Sequence, residues 1–285
     1  MSLELEKARS TAIKSKIFKY SLMGLVGILP ALITFFAEPG PDQILPSLVV
    51  FLIFAALADV TYIAFSKNRA YAAFSALYKK EAITEALSGT PLFEEMTFTY
   101  EAGLDPHAIS ASGMLTTNRY YSDCFLQAKH MGISFVQADV RNVRGNRNGF
   151  ILEYDGTFLI IPVRLPDAGN TSIADKNVDI SYILSGEPFI SPNPEFNKRF
   201  KVYSETPAQA SALLDYTFTS SLLTIADKIS GRMLLTVKDG YLYLFLSRKG
   251  SALKPSLTKT YDASMRENII KELSRAKLFI EAFSI

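Results

Sequence analysis

Two apolar runs, Ile17–Ala37 and Ile44–Ser66, stand almost end to end near the start of the chain and constrain its fold more than any other feature. Each is long enough to cross a bilayer as a helix, which takes about 20 residues. Only Glu38-Pro39-Gly40-Pro41-Asp42-Gln43 separates them, so the expected element is a tight antiparallel transmembrane hairpin over residues 17–66. Lys7, Arg9, Lys14, Lys16 and Lys19 cluster at the start of the first run, and Lys67, Arg69, Lys79 and Lys80 follow the second. The connecting loop has no Lys or Arg. By the positive-inside rule both ends face the cytoplasm and the loop faces outward. A cleaved signal peptide would need a small-residue cleavage site before Glu38, and a second span would not follow it.

Composition agrees with this division. The chain is 48% hydrophobic, yet the stretch after the hairpin reads as an ordinary mixed domain long enough for a full core. A formal net charge of +2 gives no field that implies nucleic acid as a partner. Cys124 is the single cysteine, which excludes an internal disulfide, and with only His107 and His130 beside it a Cys/His zinc site is out of reach.

Asp59 is the one ionisable residue well inside a run, roughly 7–10 Å from the cytoplasmic edge at 1.5 Å per residue. A charge there is costly unless paired. Antiparallel packing of the two runs sets Asp59 near Leu22, one turn from Lys19, so a Lys19–Asp59 membrane charge pair is expected. No Pro or Gly occurs from Ser47 to Ser88, and Gly89 suits a C-terminal cap with Pro91 beyond. The second span is therefore expected to continue as one helix of roughly 60 Å, forming a helical stalk over 67–89. Ala70, Ala73, Phe74, Leu77 and Tyr78 make a stripe at helical spacing. It suits packing on the protein's own soluble domain, or an interface with a second copy or partner helix through Ala70, Ala73, Phe74 and Leu77. Leu3–Lys16, within the cytoplasmic segment 1–16, reads as a short helix on the headgroups.

From Met96 the period changes. Met96–Tyr100, Ile133–Val143, Gly149–Val163 and Phe200–Tyr203 read as strands. Asp155-Gly156 signals a hairpin turn that would pair Phe150–Tyr154 with Thr157–Val163, and Asp167–Asp179 reads as a polar loop. Ala208–Lys228 reads as helical in two pieces around Thr217–Ser220. Met233–Val237 and Tyr241–Leu246 flank a second hairpin turn, Lys238-Asp239-Gly240. Asp262 can cap a closing amphipathic helix, Ala263–Phe283, with Met265, Ile269, Leu273, Ala276, Ile280 and Phe283 near one face. Strands and helices without strict alternation make residues 90–285 a cytoplasmic α+β domain of antiparallel hairpins with packed helices.

A resemblance joins these readings. Tyr78-Lys79-Lys80-Glu81 is followed by Asn118-Arg119-Tyr120-Tyr121-Ser122-Asp123 and Phe135-Val136-Gln137-Ala138-Asp139-Val140. Then come Pro194-Glu195-Phe196-Asn197-Lys198-Arg199-Phe200-Lys201-Val202-Tyr203-Ser204 and Gly240-Tyr241-Leu242-Tyr243-Leu244. This order resembles an uncharacterised bacterial membrane-protein family, domain of unknown function 3137, over roughly residues 75–260. Ala128–Gly132 and Asp167–Ile190 depart from its pattern. Members commonly carry two membrane spans before the domain, which implies a multi-pass protein of the bacterial inner membrane. The family implies no activity for any residue here.

Chemistry is sparse. Asp123-Cys124 with His130 has the residue types of a thiol nucleophile, but Phe125 and Leu126 make Cys124 read as a buried small hydrophobe. Asp175–Asp179 opens like a calcium loop, yet Ile180 and Gly186 stand where Gly and Glu are needed. Arg141, Arg144 and Arg147 surround a Gly/Asn turn that could touch anionic headgroups, or simply solubilise a hairpin tip. No phosphate loop, nucleophile elbow or His-Glu-x-x-His helix occurs, so no catalytic, cofactor or metal residues are assigned. The expectation is a membrane-anchored scaffold or adaptor, probing a protein partner or forming a homo-oligomer beside the lipid bilayer. Two rivals stand against it. One is a membrane-surface enzyme using carboxylates such as Asp139, Glu153 and Asp155 brought together by folding. The other is a proton-coupled membrane component using Asp59.

Overall fold

The first apolar run becomes part of a longer helix, α1 (Leu3–Ala37), in the computed structural model. The structure describes residues 2–37, 44–66, 69–88, 91–115, 120–146, 149–165, 170–177, 186–247, 253–259 and 261–283. Side chains at 23, 27, 29, 34, 35, 37, 44, 58–66, 142–146 and 149–153 are outside that description. The chain forms two units: Met1–Glu85 with Lys254–Met265, and Ala86–Leu253 with Arg266–Ile285.

In the first unit α1 contacts α2 (Ile44–Ser66) and α3 (Arg69–Tyr78). Among the described residues one helix is long and apolar enough to cross a membrane, over Leu3–Ile33, and a shorter apolar stretch follows at Leu45–Leu57. Leu3–Lys16 is not a separate surface helix. It is the start of α1, and its Leu5 and Ala12, two turns apart, are buried. The stalk also departs from a single α-helix. After α3 comes one π-helical turn, Lys79–Ile83, then α4 (Thr84–Ser88). The wider turn carries Ala82 and Ile83 into the interior.

Phe74 and Tyr78 are buried within this unit rather than displayed. Tyr71, Phe74, Tyr78 and Tyr261 follow one another at ring-centroid spacings of 6.5, 6.4 and 6.4 Å. The Tyr71 hydroxyl donates to the Pro255 carbonyl at 3.1 Å, and the Tyr261 hydroxyl to the Ala82 carbonyl at 3.1 Å. Segment 254–265 is thereby fastened to the helices by two phenols whose rings supply apolar area and whose oxygens find acceptors.

The second unit is built on a nine-stranded antiparallel sheet, ordered β1-β2-β3-β4-β9-β8-β5-β7-β6. The strands are β1 (Glu95–Thr99), β2 (Tyr120–His130), β3 (Ile133–Asn146), β4 (Gly149–Pro162), β5 (Thr171–Asp175), β6 (Glu187–Phe189), β7 (Phe200–Ser204), β8 (Arg232–Lys238) and β9 (Tyr241–Ser247). The helices are α5 (Pro106–Ala111), α6 (Pro194–Arg199), α7 (Pro207–Leu213), α8 (Tyr216–Lys228), α9 (Ala263–Leu273) and α10 (Arg275–Phe283). Alternation along each strand gives the sheet two apolar faces. Leu104, Ile109, Met114 and Leu115 cover Ala138, Phe158, Leu234 and Phe245 on one. Helix α10 packs on β3 and β4 on the other, beside α8.

Four local expectations are corrected. Asp155-Gly156 is not a turn: β4 runs through it, with Gly156 opposite both Val140 and Ser247. A Cβ there would meet the Leu246 carbonyl oxygen at 2.1 Å, so glycine serves close strand approach. The polar stretch 167–179 contains β5, a buried strand whose hydroxyls pair across to its neighbours: Thr171 with Ser204 at 2.8 Å and Ser172 with Thr236 at 2.7 Å. The break between α7 and α8 falls at Leu214–Asp215, where Asp215 accepts the Phe218 N–H at 2.6 Å as an N-cap. The closing helix is two helices, α9 and α10, parted at Ser274. Asp262 does cap it, accepting the Met265 N–H at 2.8 Å.

Candidate functional site

A concavity of the second unit lies where β2 turns into β3. Met131 (φ 51°) and Gly132 (φ 75°) form a two-residue hairpin of left-handed residues, with His130 opposite Ile133. Beside it β4 ends at Pro162, and the Val163 N–H donates to the Gly240 carbonyl at 2.9 Å. Ile280 of α10 closes the side. Together these enclose a cleft of about 540 Å³ lined by Met131–Ser134, Ile161–Arg164 and Ile280. That volume suits a small ligand. Ile161 and Ile280 are buried floor, Ile133 and Val163 are half-buried wall, and Met131 and Arg164 are exposed at the mouth.

The surrounding charges are mostly engaged. His130 meets Glu281 at 3.0 Å, and Glu94 accepts the Gly132 N–H at 3.3 Å. Lys277 stands over the Phe93 ring at 5.2 Å, and that ring packs on Phe135 at 5.1 Å. Arg164 makes no ion pair among the described residues.

The same sheet face continues from the cleft under α10 as a buried polar row. Gln137, Asp139 and Thr157 are buried there, and Thr157 donates to the Asp139 carboxylate at 3.3 Å. Burial lowers the pKa of Arg275, and the Asp139 charge works in the opposite direction. The Gln137 amide N and O and one Arg275 Nη are buried without a protein partner. Each unmet group costs about 1–3 kcal/mol.

The three carboxylates suggested by the sequence do not form a described acid pair. Asp139 faces the packed row, Asp155 stands two residues along opposite Arg141, and the Glu153 side chain is outside the described residues. Cys124 is buried and holds φ 57° at a bulge where β2 gains a residue between Asp123 and Leu126. His130 lies six residues along the strand, about 20 Å away at 3.3 Å per residue. Asp175 is engaged within the sheet unit. It accepts the Met233 N–H at 2.6 Å and the Arg199 Nε at 3.4 Å, while Arg199 also reaches Asp227 at 2.6 Å. Among the described residues no group of three His, Cys, Asp or Glu side chains is set to hold a metal.

The remaining expected sites are spread along the chain. Lys19 is half-buried in α1; Asp59 lies in α2 with its side chain outside the described residues. Ala73 is exposed, Ala70 and Leu77 are half-buried, and Phe74 is interior. Arg141 is exposed on β3, the Arg144 side chain and Arg147 are outside the described residues, and the Arg144 backbone stands opposite Ile151. The cleft itself was absent from the sequence reading. Its one local signal is Met131-Gly132 between two strand-like runs.

The class defined by this geometry is a mixed helix-and-sheet protein with a large antiparallel sheet and an apolar N-terminal helix. Residues 154–284 match the model of the family described as protein of unknown function (DUF3137), the family that the sequence motifs resemble. Pro194–Ser204 and Gly240–Leu244 lie inside the match, and the earlier resembling motifs lie before it. No curated protein matches the chain. A crystal structure of the mycobacterial trehalose monomycolate transport factor A, TtfA, aligns with a TM-score of 0.39 at 10% identity, over 72% of this chain and 93% of that one. So distant a likeness carries no functional statement.

Proposed function

We propose that this protein is a membrane-anchored adaptor, with α1 and α2 as a two-span hairpin and the sheet unit as a cytoplasmic interaction domain. One observation carries the reading. Large apolar side chains are exposed in close succession on α1 and α2: Ile17, Phe18, Leu25, Ile33 and Phe36, then Leu45, Leu48, Leu52, Phe54 and Leu57. Water-exposed surfaces rarely carry so continuous an apolar stretch, whereas hydrocarbon accepts it. The 23 residues of α2 would span roughly 35 Å. The partner is a protein or a second copy of this chain, met in part through the exposed Ala73 on α3.

Native mass spectrometry of the full-length protein, gently extracted from its own membrane, tests this. A reproducible heteromer or a homomer of defined size is expected, and Ala73→Glu should reduce its abundance. Phe74 is a poor probe, since its burial makes any substitution a test of folding. A lone monomer in every preparation would remove the adaptor reading.

A further inference from the structure

We propose that the cleft between the β2–β3 turn and the end of β4 binds a single-chain anionic amphiphile, an aliphatic tail bearing one carboxylate or phosphate head. The argument starts from the lining. Ile133, Ile161, Val163 and Ile280 offer an apolar bed, with Met131, a flexible and polarizable side chain, lying exposed across the mouth. A volume of about 540 Å³ exceeds what packing defects leave and falls in the range of small-ligand sites.

The choice of head follows from charge. Glu94 accepts the Gly132 N–H and Glu281 meets His130, so these two acids already have partners, and among the described residues no acid lines the cleft itself. Arg164 lines the cleft, is exposed, and makes no ion pair among the described residues. A guanidinium at the edge of an apolar bed is matched by an anion whose tail prefers that bed, because the planar fork takes carboxylate or phosphate oxygens two at a time. A neutral alkyl ligand would leave Arg164 unused, and a small inorganic anion would leave the bed wet. The assignment does not depend on the membrane reading, since every residue in it belongs to the sheet unit.

The test uses full-length protein in nanodiscs of a zwitterionic lipid, with empty discs as the blank. The probe is dansylaminoundecanoate, a fluorescent single-chain carboxylate. Saturable fluorescence above the blank is expected, displaced by decanoate or dodecyl phosphate and not by decanol. Displacement by one of the two anions alone also supports the site and names its head group. Arg164→Gln and Met131→Asp alter exposed side chains, so the fold is retained; each should weaken binding at least tenfold at an unchanged unfolding midpoint. Fluorescence equal to the blank, displacement by decanol as effective as by decanoate, or parental affinity in both variants would overturn the proposal. Dye binding is read without reference to oligomeric mass, so a lone monomer that still binds the probe removes the adaptor reading alone, and an oligomer that does not bind it removes this proposal alone.

Discussion

Tyr120 ties the covering segment of the sheet to its outer strands. Its hydroxyl donates to the Leu104 carbonyl at 2.9 Å, the Leu104 N–H donates to Ser122 Oγ at 3.1 Å, and that hydroxyl donates to the Asp139 carbonyl at 2.9 Å. Burial pushes the phenol up to about 12, with Asp105 adding to the rise and a Ser122 hydrogen bond opposing it. The folded state therefore holds this proton more tightly than the unfolded chain, whose tyrosines titrate near 10. The resulting stability is fully present below pH 10 and is lost as pH rises toward 12. Thermal midpoints measured from pH 9 to 12 should fall more steeply for the parent than for Tyr120→Phe. Equal slopes would show that Tyr120 titrates like an exposed tyrosine. At this scale the sequence is most legible where a residue acts on its own backbone, as with the Asp262 cap or the Asp239-Gly240 turn with φ of 52° and 75°. It is least legible where meaning comes from distant neighbours: nothing local separates Arg164 at its cleft from any surface arginine.

Among elements, β4 and β5 show what periodicity can and cannot carry. Strand β4 was legible as two strands because Asp-Gly is a strong hairpin signal. The competing fact is tertiary: β9 lies so close at Gly156 that any side chain would strike its backbone. Gly156→Ala should destabilise by about 1–3 kcal/mol or more through overpacking, read from urea unfolding monitored by circular dichroism. A loss below about 0.5 kcal/mol, short of the overpacking range, would mean that β4 and β9 separate more readily than their register implies. Strand β5 was invisible for the opposite reason. Thr171 and Ser172 look solvent-bound, yet cross-strand hydroxyl pairs satisfy them in the interior. The helices α7 and α8 were anticipated as a broken pair, but the break follows the Asp215 cap and not the Thr217–Ser220 cluster.

For the whole molecule, orientation is the property that the positive flanks address most directly. Cys124 is the single thiol, so Cys124→Ala gives a clean background for one new cysteine at a time. A membrane-impermeant maleimide applied to sealed cells should label Gln43→Cys and spare Tyr121→Cys, whose position is exposed on the sheet unit. Equal labelling of both would reverse or abolish the proposed topology. The order of synthesis adds a last consequence. Tyr71 and Ala82 take their partners from Pro255 and Tyr261, so the N-terminal helices leave the ribosome about 180 residues before the segment that fastens them. At 5–20 residues per second that interval is roughly 10–35 s. During it Phe74 and Tyr78 lack part of their cover, and any truncation after the sheet but before residue 254 would leave nascent helices in that unfinished state for good.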